Sequence, residues 1–250
     1  MPSPTRRTII IIDAVEWSPA YPNPHPLRNV GEWFARFLRG LPELEPVVVP
    51  AGEDVAEAVF RPSTAGVIIS GSPRDAWARD RFNERLVDVI LRCEQARIPF
   101  LGVCYGHQLL GVALGAKVGR DPAGVELGNT TIELTPEGRL DPLFEGVPLS
   151  FEAMESHQDS VQTMPAGATL LASGRQTPIQ AFRYGDVLRG VQFHPEHDPD
   201  ILRFIWEPRR QTWRDRCDFD IDERLSELRP TPEGPKILKN FANLCRKFSS

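Results

Sequence analysis

The feature that most constrains this chain is a strand forced to become a helix at a cysteine. The stretch Phe100-Leu101-Gly102-Val103-Cys104-Tyr105-Gly106-His107-Gln108-Leu109-Leu110 starts as a short apolar run, turns at Cys104 and continues as a helix-forming run. Gly102 and Gly106 flank the thiol in the pattern G-x-C-x-G, a sulfur version of the G-x-S-x-G nucleophile elbow. A strand that turns sharply into a helix crowds its own backbone. A side chain at either glycine would clash there or resist the strained dihedrals. The elbow leaves sulfur above the edge of a sheet, with the first N–H groups of the helix aimed at it. That geometry suits a nucleophile and a developing oxyanion. A cysteine taken alone is more often a buried small hydrophobe. Here a second motif weighs against that reading.

The second motif is Val191-Gln192-Phe193-His194-Pro195-Glu196, ninety residues beyond the cysteine. On an extended segment, the i, i+2 spacing puts His194 and Glu196 on one face. A thiol, a base and a carboxylate that orients the base form a nucleophilic triad. The run His194-Pro195-Glu196-His197-Asp198 is also rich in metal-ligand types. However, Pro195 breaks helical geometry, and neither H-E-x-x-H nor C-x-x-C occurs, so neither a metal nor another cofactor is expected. His197 and Asp198 read as loop residues following the triad.

Apolar runs alternate with helical patterns through the first half of the chain. Thr8–Ile12, Pro46–Val49, Val67–Ser70 and Phe100–Cys104 read as buried strands. Between them, Val30–Arg39 and Arg81–Arg97 read as amphipathic helices, and Gln108–Leu114 as a helix after the elbow. After Gly119 the runs become short and alternating: Thr130–Leu134, Thr169–Ala172, Ile179–Arg183 and Leu188–Phe193. The predicted fold is α/β, a mainly parallel twisted sheet flanked by helices, with an additional mixed or antiparallel strand region. Sites in such sheets form at the carboxyl ends of strands. Ser70-Gly71 and Cys104 both fall there. Residues 1–250 read as a single domain, with a helical insertion expected at 199–235 before a last helix, Lys236–Phe248. Within that segment, Ile201–Trp206 and Arg209–Arg229 read as two helices.

The 250 residues are 41% hydrophobic, enough for one large core. A net charge of −5 argues against nucleic acid or an anionic membrane as partner. The longest apolar runs are of strand length, too short for a transmembrane helix or the core of a signal peptide. The four cysteines have no framework spacing, so a reduced, cytoplasmic protein is expected.

The residues around Cys104 and His194 resemble the class I (triad) glutamine amidotransferase family, whose patterns run G-x-C-x-G-x-Q and Q-F-H-P-E. The resemblance covers about residues 8–198 and implies a flavodoxin-like sheet. It implies that Cys104 attacks the glutamine side-chain amide to form a γ-glutamyl thioester. His194 would then move the proton and Glu196 hold the imidazole. Gln108 matches the glutamine of the first pattern and is implied to contact substrate. Ala65-Gly66-Val67-Ile68-Ile69-Ser70-Gly71-Ser72-Pro73 resembles the family's oxyanion loop, with Gly71 and Tyr105 as the backbone donors. Such a donor is typically worth ~3 kcal/mol. Glu155-Ser156-His157-Gln158-Asp159-Ser160-Val161 resembles the S-H-x-D-x-V segment beside the amino-acid end of the substrate. There Asp159 would pair an α-ammonium group. The finer likeness is to stand-alone, GMP-synthase-like amidotransferase domains.

Two stretches depart from the compact family pattern: the proline-rich loop Glu16–Arg28 near the first strand's end, and Pro199–Pro235. The chain has no G-x-x-x-x-G-K-[ST] or S-G-G-x-D-S nucleotide loop. The first functional expectation is therefore hydrolysis of glutamine to glutamate and ammonia, the ammonia serving a separate synthetase partner. The second is a γ-glutamyl peptidase or hydrolase. A third, a non-catalytic regulatory protein of the same fold, fits the intact triad poorly.

Overall fold

The computed structural model of the protein describes residues 6–15, 29–52 and 54–248. The loop read at Glu16–Arg28 lies outside them. The chain opens with β1 (Arg7–Asp13), α1 (Val30–Leu38), β2 (Leu44–Pro50), α2 (Val55–Val59) and β3 (Thr64–Ile69). It continues through α3 (Arg81–Gln95), β4 (Phe100–Val103) and α4 (Tyr105–Ala113). Next come β5 (Val118–Arg120), β6 (Glu126–Leu134), α5 (Pro136–Leu140), β7 (Ser150–His157), β8 (Asp159–Val161) and β9 (Thr169–Gly174). The last elements are β10 (Ala181–Tyr184), β11 (Leu188–Val191), α6 (Pro199–Trp206), α7 (Arg210–Trp213), α8 (Ile221–Ser226) and α9 (Glu233–Lys247).

Among the described residues the main sheet has the order β2-β1-β3-β4-β11-β10-β9-β6-β7. The pairs from β2 to β11 are parallel, and those from β11 to β7 are antiparallel. β5 and β8 form a separate antiparallel ribbon. The α/β class expected from the alternating runs is the fold found.

The continuous apolar run of β1 has its cause here, because a strand covered on both faces buries both sets of alternating side chains. Ile9 and Ile11 pack with Phe34 of α1 and Phe241 of α9 on one face. Ile10 and Ile12 pack with Val59 of α2, Leu86 of α3 and Leu109 of α4 on the other. A third, smaller cluster joins Leu202, Trp206, Ile221 and Leu225 of the 199–235 segment to Leu127 and Met154 of the antiparallel region. Among the described residues no helix is long and apolar enough to cross a membrane.

Several elements differ from the sequence reading. Arg209–Arg229 is not one helix but α7, a 3-10 turn at Arg214–Arg216 and α8. The break has a local cause. Cys217 is extended, and the Asp220 side chain accepts from the N–H groups of Asp222 (2.8 Å) and Glu223 (3.2 Å), which starts a new helix. α4 begins at Tyr105, three residues earlier than its apolar pattern suggests, because the elbow itself starts the helix.

β11 delivers the histidine motif, and a buried ion pair braces it. Arg189 of β11 meets Asp141 through two parallel contacts, Nε to Oδ1 at 2.8 Å and Nη2 to Oδ2 at 3.0 Å. Their side chains are 6% and 2% exposed. Removing one partner leaves a buried charge without compensation, so Asp141→Ala is expected to cost about 3–5 kcal/mol. A urea midpoint unchanged from that of the parent chain would contradict this.

Candidate active site

The elbow forms as the glycine spacing requires. Cys104 follows β4 with φ +50° and ψ −100°, a positive-φ conformation that costs a non-glycine residue of order 1–3 kcal/mol. Its neighbours hold it in place. The Cys104 N–H donates to the Val191 carbonyl at 2.9 Å, and the Cys104 carbonyl accepts from the Gln108 N–H at 2.9 Å. A Cβ on Gly102 would run into the carbonyl of Gly106, and one on Gly106 would lie 2.5 Å from the carbonyl oxygen of Ile69. The two glycines therefore let β4, α4 and β3 approach at contact distance.

Beyond β11, the His194 N–H donates to the Met154 carbonyl at 2.9 Å, tying the motif to β7. His194 Nδ1 lies 2.7 Å from Glu196 Oε1, and Glu196 is fully buried. Arg36 of α1 clamps the same turn, donating to the Glu196 carbonyl and to Asp198 Oδ2, both at 2.8 Å. Burial works against a charged His194. The Glu196 carboxylate and the Cys104 thiol group outweigh it and push the ring up to about 10. With Nδ1 on the carboxylate, Nε2 is the nitrogen left for the thiol.

His197, which reads in the sequence as a simple loop residue, stacks on His194 with ring centroids 3.9 Å apart and planes 3° apart. Burial, the His194 charge and Arg36 hold its pKa well below the usual histidine range. A neutral ring thus covers one face of His194, and the edge of Trp33 covers His197 in turn at 5.5 Å. Neither His197 nor Arg36 carries a sequence signal beyond proximity to H-P-E or a place on an amphipathic helix.

Gly71 stands at the end of β3 against both motifs. A Cβ there would lie 2.8 Å from His194 Cε1 and 3.8 Å from Cys104 Cβ. Ser70 fixes the loop by donating to the Gly71 carbonyl (2.9 Å) and accepting from the Ala14 N–H (3.0 Å). Gly71→Ala is expected to displace the imidazole. A misplacement near 1 Å costs about 10²-fold, so kcat/KM should fall by that order with little change in melting temperature. An alanine variant of parental activity would show that the loop has room. The side chain of Tyr105 is fully buried away from this region. Its hydroxyl points into the core and donates to Asn83 Oδ1 at 2.6 Å.

The other residues singled out by sequence also line the cavity, in more committed roles. Gln108 Nε2 donates to the Asp159 carbonyl at 2.7 Å. Asp159 accepts from Trp77 Nε1 (2.9 Å) and Arg120 Nη1 (2.6 Å), so both of its oxygens already have a donor. His157 is buried. Its Nε2 lies 3.0 Å from Glu126 Oε2 and 3.2 Å from Glu155 Oε2. Burial opposes a charge on His157, yet the two carboxylates hold its pKa well above the ordinary value; burial raises that of Glu155. Among the described residues, two groups place three potential metal-ligand atoms within 4.8 Å: His194, Glu196 and His197, and Glu126, Glu155 and His157. In each, imidazole–carboxylate contacts of hydrogen-bond length account for the approach.

Cys104, His194, Gly71 and Gln108 open on one cavity of about 270 Å³. Its lining also includes Phe204, Ile205, Trp206 and Trp213 of the 199–235 segment. A thiol at a strand–helix elbow, a carboxylate-bound histidine and a glycine loop in one concave site define a candidate for acyl transfer at a cysteine.

Comparison with known proteins agrees with that class. The family model for glutamine amidotransferase class-I matches residues 31–202. The chain is 34% identical over 186 residues to gamma-glutamyl peptidase 3 of Arabidopsis thaliana, covering 73% of each protein. It is 33% identical over 173 residues to a subunit of the glutamine-hydrolyzing GMP synthase of Methanocaldococcus jannaschii, covering 68% of this chain and 86% of that one. A crystal structure of a glutamine amidotransferase from Thermotoga maritima superposes with a TM-score of 0.70 at 20% identity, over 98% of this chain and 99% of that chain, and so shares the fold. The protein belongs to the class I glutamine amidotransferase family.

Proposed function

We propose that the protein hydrolyses γ-glutamyl amides through a thioester on Cys104, with glutamine as substrate and glutamate and ammonia as products. The observation that supports this most directly is the convergence of Cys104, His194 and Glu196 on one cavity. Cys104 sulfur attacks the γ-carbonyl carbon while its proton sits on His194 Nε2. The Gly71 and Tyr105 N–H groups stabilise the oxyanion. His194 returns the proton to the leaving nitrogen as the C–N bond breaks. Water then adds to the thioester by the reverse sequence and frees glutamate. Glu196 keeps the ring in the tautomer that presents Nε2 to sulfur. Gln108, His157 and Asp159 line the substrate side, with Nδ1 the free nitrogen of His157.

In this reading the ammonia passes to a separate synthetase partner, because the Methanocaldococcus relative is by name one component of a larger synthase. The name of the Arabidopsis relative, and the aromatic wall of the cavity, favour γ-glutamyl conjugates as further substrates of the same chemistry. The deciding experiment measures glutamate and ammonia release from glutamine, and glutamate release from γ-glutamyl dipeptides, by the parent chain and Cys104→Ala. Turnover of either substrate that survives in Cys104→Ala would defeat the thioester mechanism.

A further inference from the structure

The cavity that holds Cys104 has two kinds of wall. One is polar, with Gln108, Ser156, Gln158 and Asp159. The other is apolar and aromatic, built by Trp33 from α1 and by Phe204, Ile205, Trp206 and Trp213 from the 199–235 segment. A γ-glutamyl group carries an α-ammonium, an α-carboxylate and only two methylenes, so the polar wall suffices to recognise it. Ammonia, small and hydrated, gains nothing from a wall of tryptophan. The aromatic wall therefore has no partner in glutamine.

The wall is also built rather than incidental. Trp206 is nearly fully buried, and its Nε1 donates to Ser156 Oγ at 2.8 Å, which joins the two walls directly. Trp213 packs edge-on to Trp206, with centroids 5.6 Å apart and planes at 69°. Leu202, Ile221 and Leu225 fix the segment to the body from behind. Two tryptophans held this way border the cavity in a fixed arrangement, with Trp213 the more exposed, at small entropic cost to a ligand that packs there. A volume of about 270 Å³ approaches the roughly 300 Å³ at which sites begin to take drug-sized ligands.

We infer that the leaving group this site is built for is a bulky apolar or aromatic amine, so that γ-glutamyl conjugates of such amines are its preferred substrates. The inference rests on the thioester reading of Cys104. The step balances as before: the C–S bond forms, the C–N bond breaks, and the thiol proton travels through His194 to the amine nitrogen. Water then cleaves C–S and restores the thiol, leaving free glutamate and the neutral amine.

The test compares γ-glutamylphenylalanine with γ-glutamylglycine, which differ by one benzyl group, and with glutamine, each with Cys104→Ala as control. The expected kcat/KM for the phenylalanine conjugate exceeds that for the glycine conjugate by at least about tenfold, the scale of one well-placed apolar group. In Trp213→Ala, whose side chain is only half-buried, that ratio should fall toward one. Equal rates on the two conjugates in the parent chain would overturn the inference while leaving the thioester chemistry intact. The absence of Cys104-dependent turnover on all three compounds would instead overturn the hydrolase reading, and this inference with it.

Discussion

Cys104→Ala is expected to reduce kcat on any γ-glutamyl substrate by about 10⁴-fold or more, the scale seen when a triad loses its nucleophile. The structure gives this variant an unusual control. Cys104 occupies the left-handed region at φ +50°, where alanine is no more strained than cysteine. Its backbone bonds to Val191 and Gln108 do not involve sulfur. The variant should therefore keep the fold and the substrate pocket while losing the acyl acceptor. Binding of unreacted substrate should persist, and it can be followed by calorimetry. A fall of only a few-fold in kcat would mean that water attacks directly and that no thioester forms.

Glu196→Gln is expected to lower kcat/KM by about 10³- to 10⁴-fold, through the base and not through the fold. In the parent chain, Glu196 and Cys104 raise the His194 pKa to about 10 against the effect of burial. The protonated ring, which must return a proton to the leaving nitrogen, then persists up to that pH. It is lost as pH rises through about 10, so the alkaline limb of kcat/KM belongs there and not near the roughly 6.5 of a free imidazole. A neutral amide at position 196 removes the carboxylate's Coulombic support and leaves that of Cys104. Burial and the charge-free stack with His197 remain, and the His194 pKa must fall. The alkaline limb should therefore move to lower pH in Glu196→Gln. Profiles that superimpose after scaling would show that Glu196 does not set the protonation of His194.

Much of the site was legible because its chemistry is local. The requirement at Gly102 and Gly106 is steric and acts within five residues, so G-x-C-x-G marks an elbow in any sheet with covered faces. The i, i+2 spacing of His194 and Glu196 works in the same way. Gly71 was legible only through the resemblance of Ser70-Gly71-Ser72-Pro73 to the family's oxyanion loop, since as a strand-end turn alone that run is unremarkable. The parallel half of the sheet was equally plain, because strands buried on both faces must be apolar throughout. The antiparallel half was harder. The alternation in β7 is interrupted by Glu155 and His157, polar residues buried in an ionic cluster with Glu126 from β6.

By itself, then, the sequence determined the elbow, the order of the cysteine and histidine motifs, and the α/β class, because each depends on contacts between near neighbours or on the burial demands of single strands. Only the tertiary structure decided what surrounds the thiol. Arg36 reaches the H-P-E turn from 160 residues away, and Trp206 reaches Ser156 across 50. Neither pairing leaves a periodic trace in the chain. His197 became the cover of His194 because α1 and the H-P-E turn close on each other around it. The tryptophans of the 199–235 segment came to line the cavity because Leu202, Ile221 and Leu225 dock that segment on Leu127 of β6 and Met154 of β7. Long-range packing of this kind depends on where apolar faces find one another, and that is settled only when the whole chain folds.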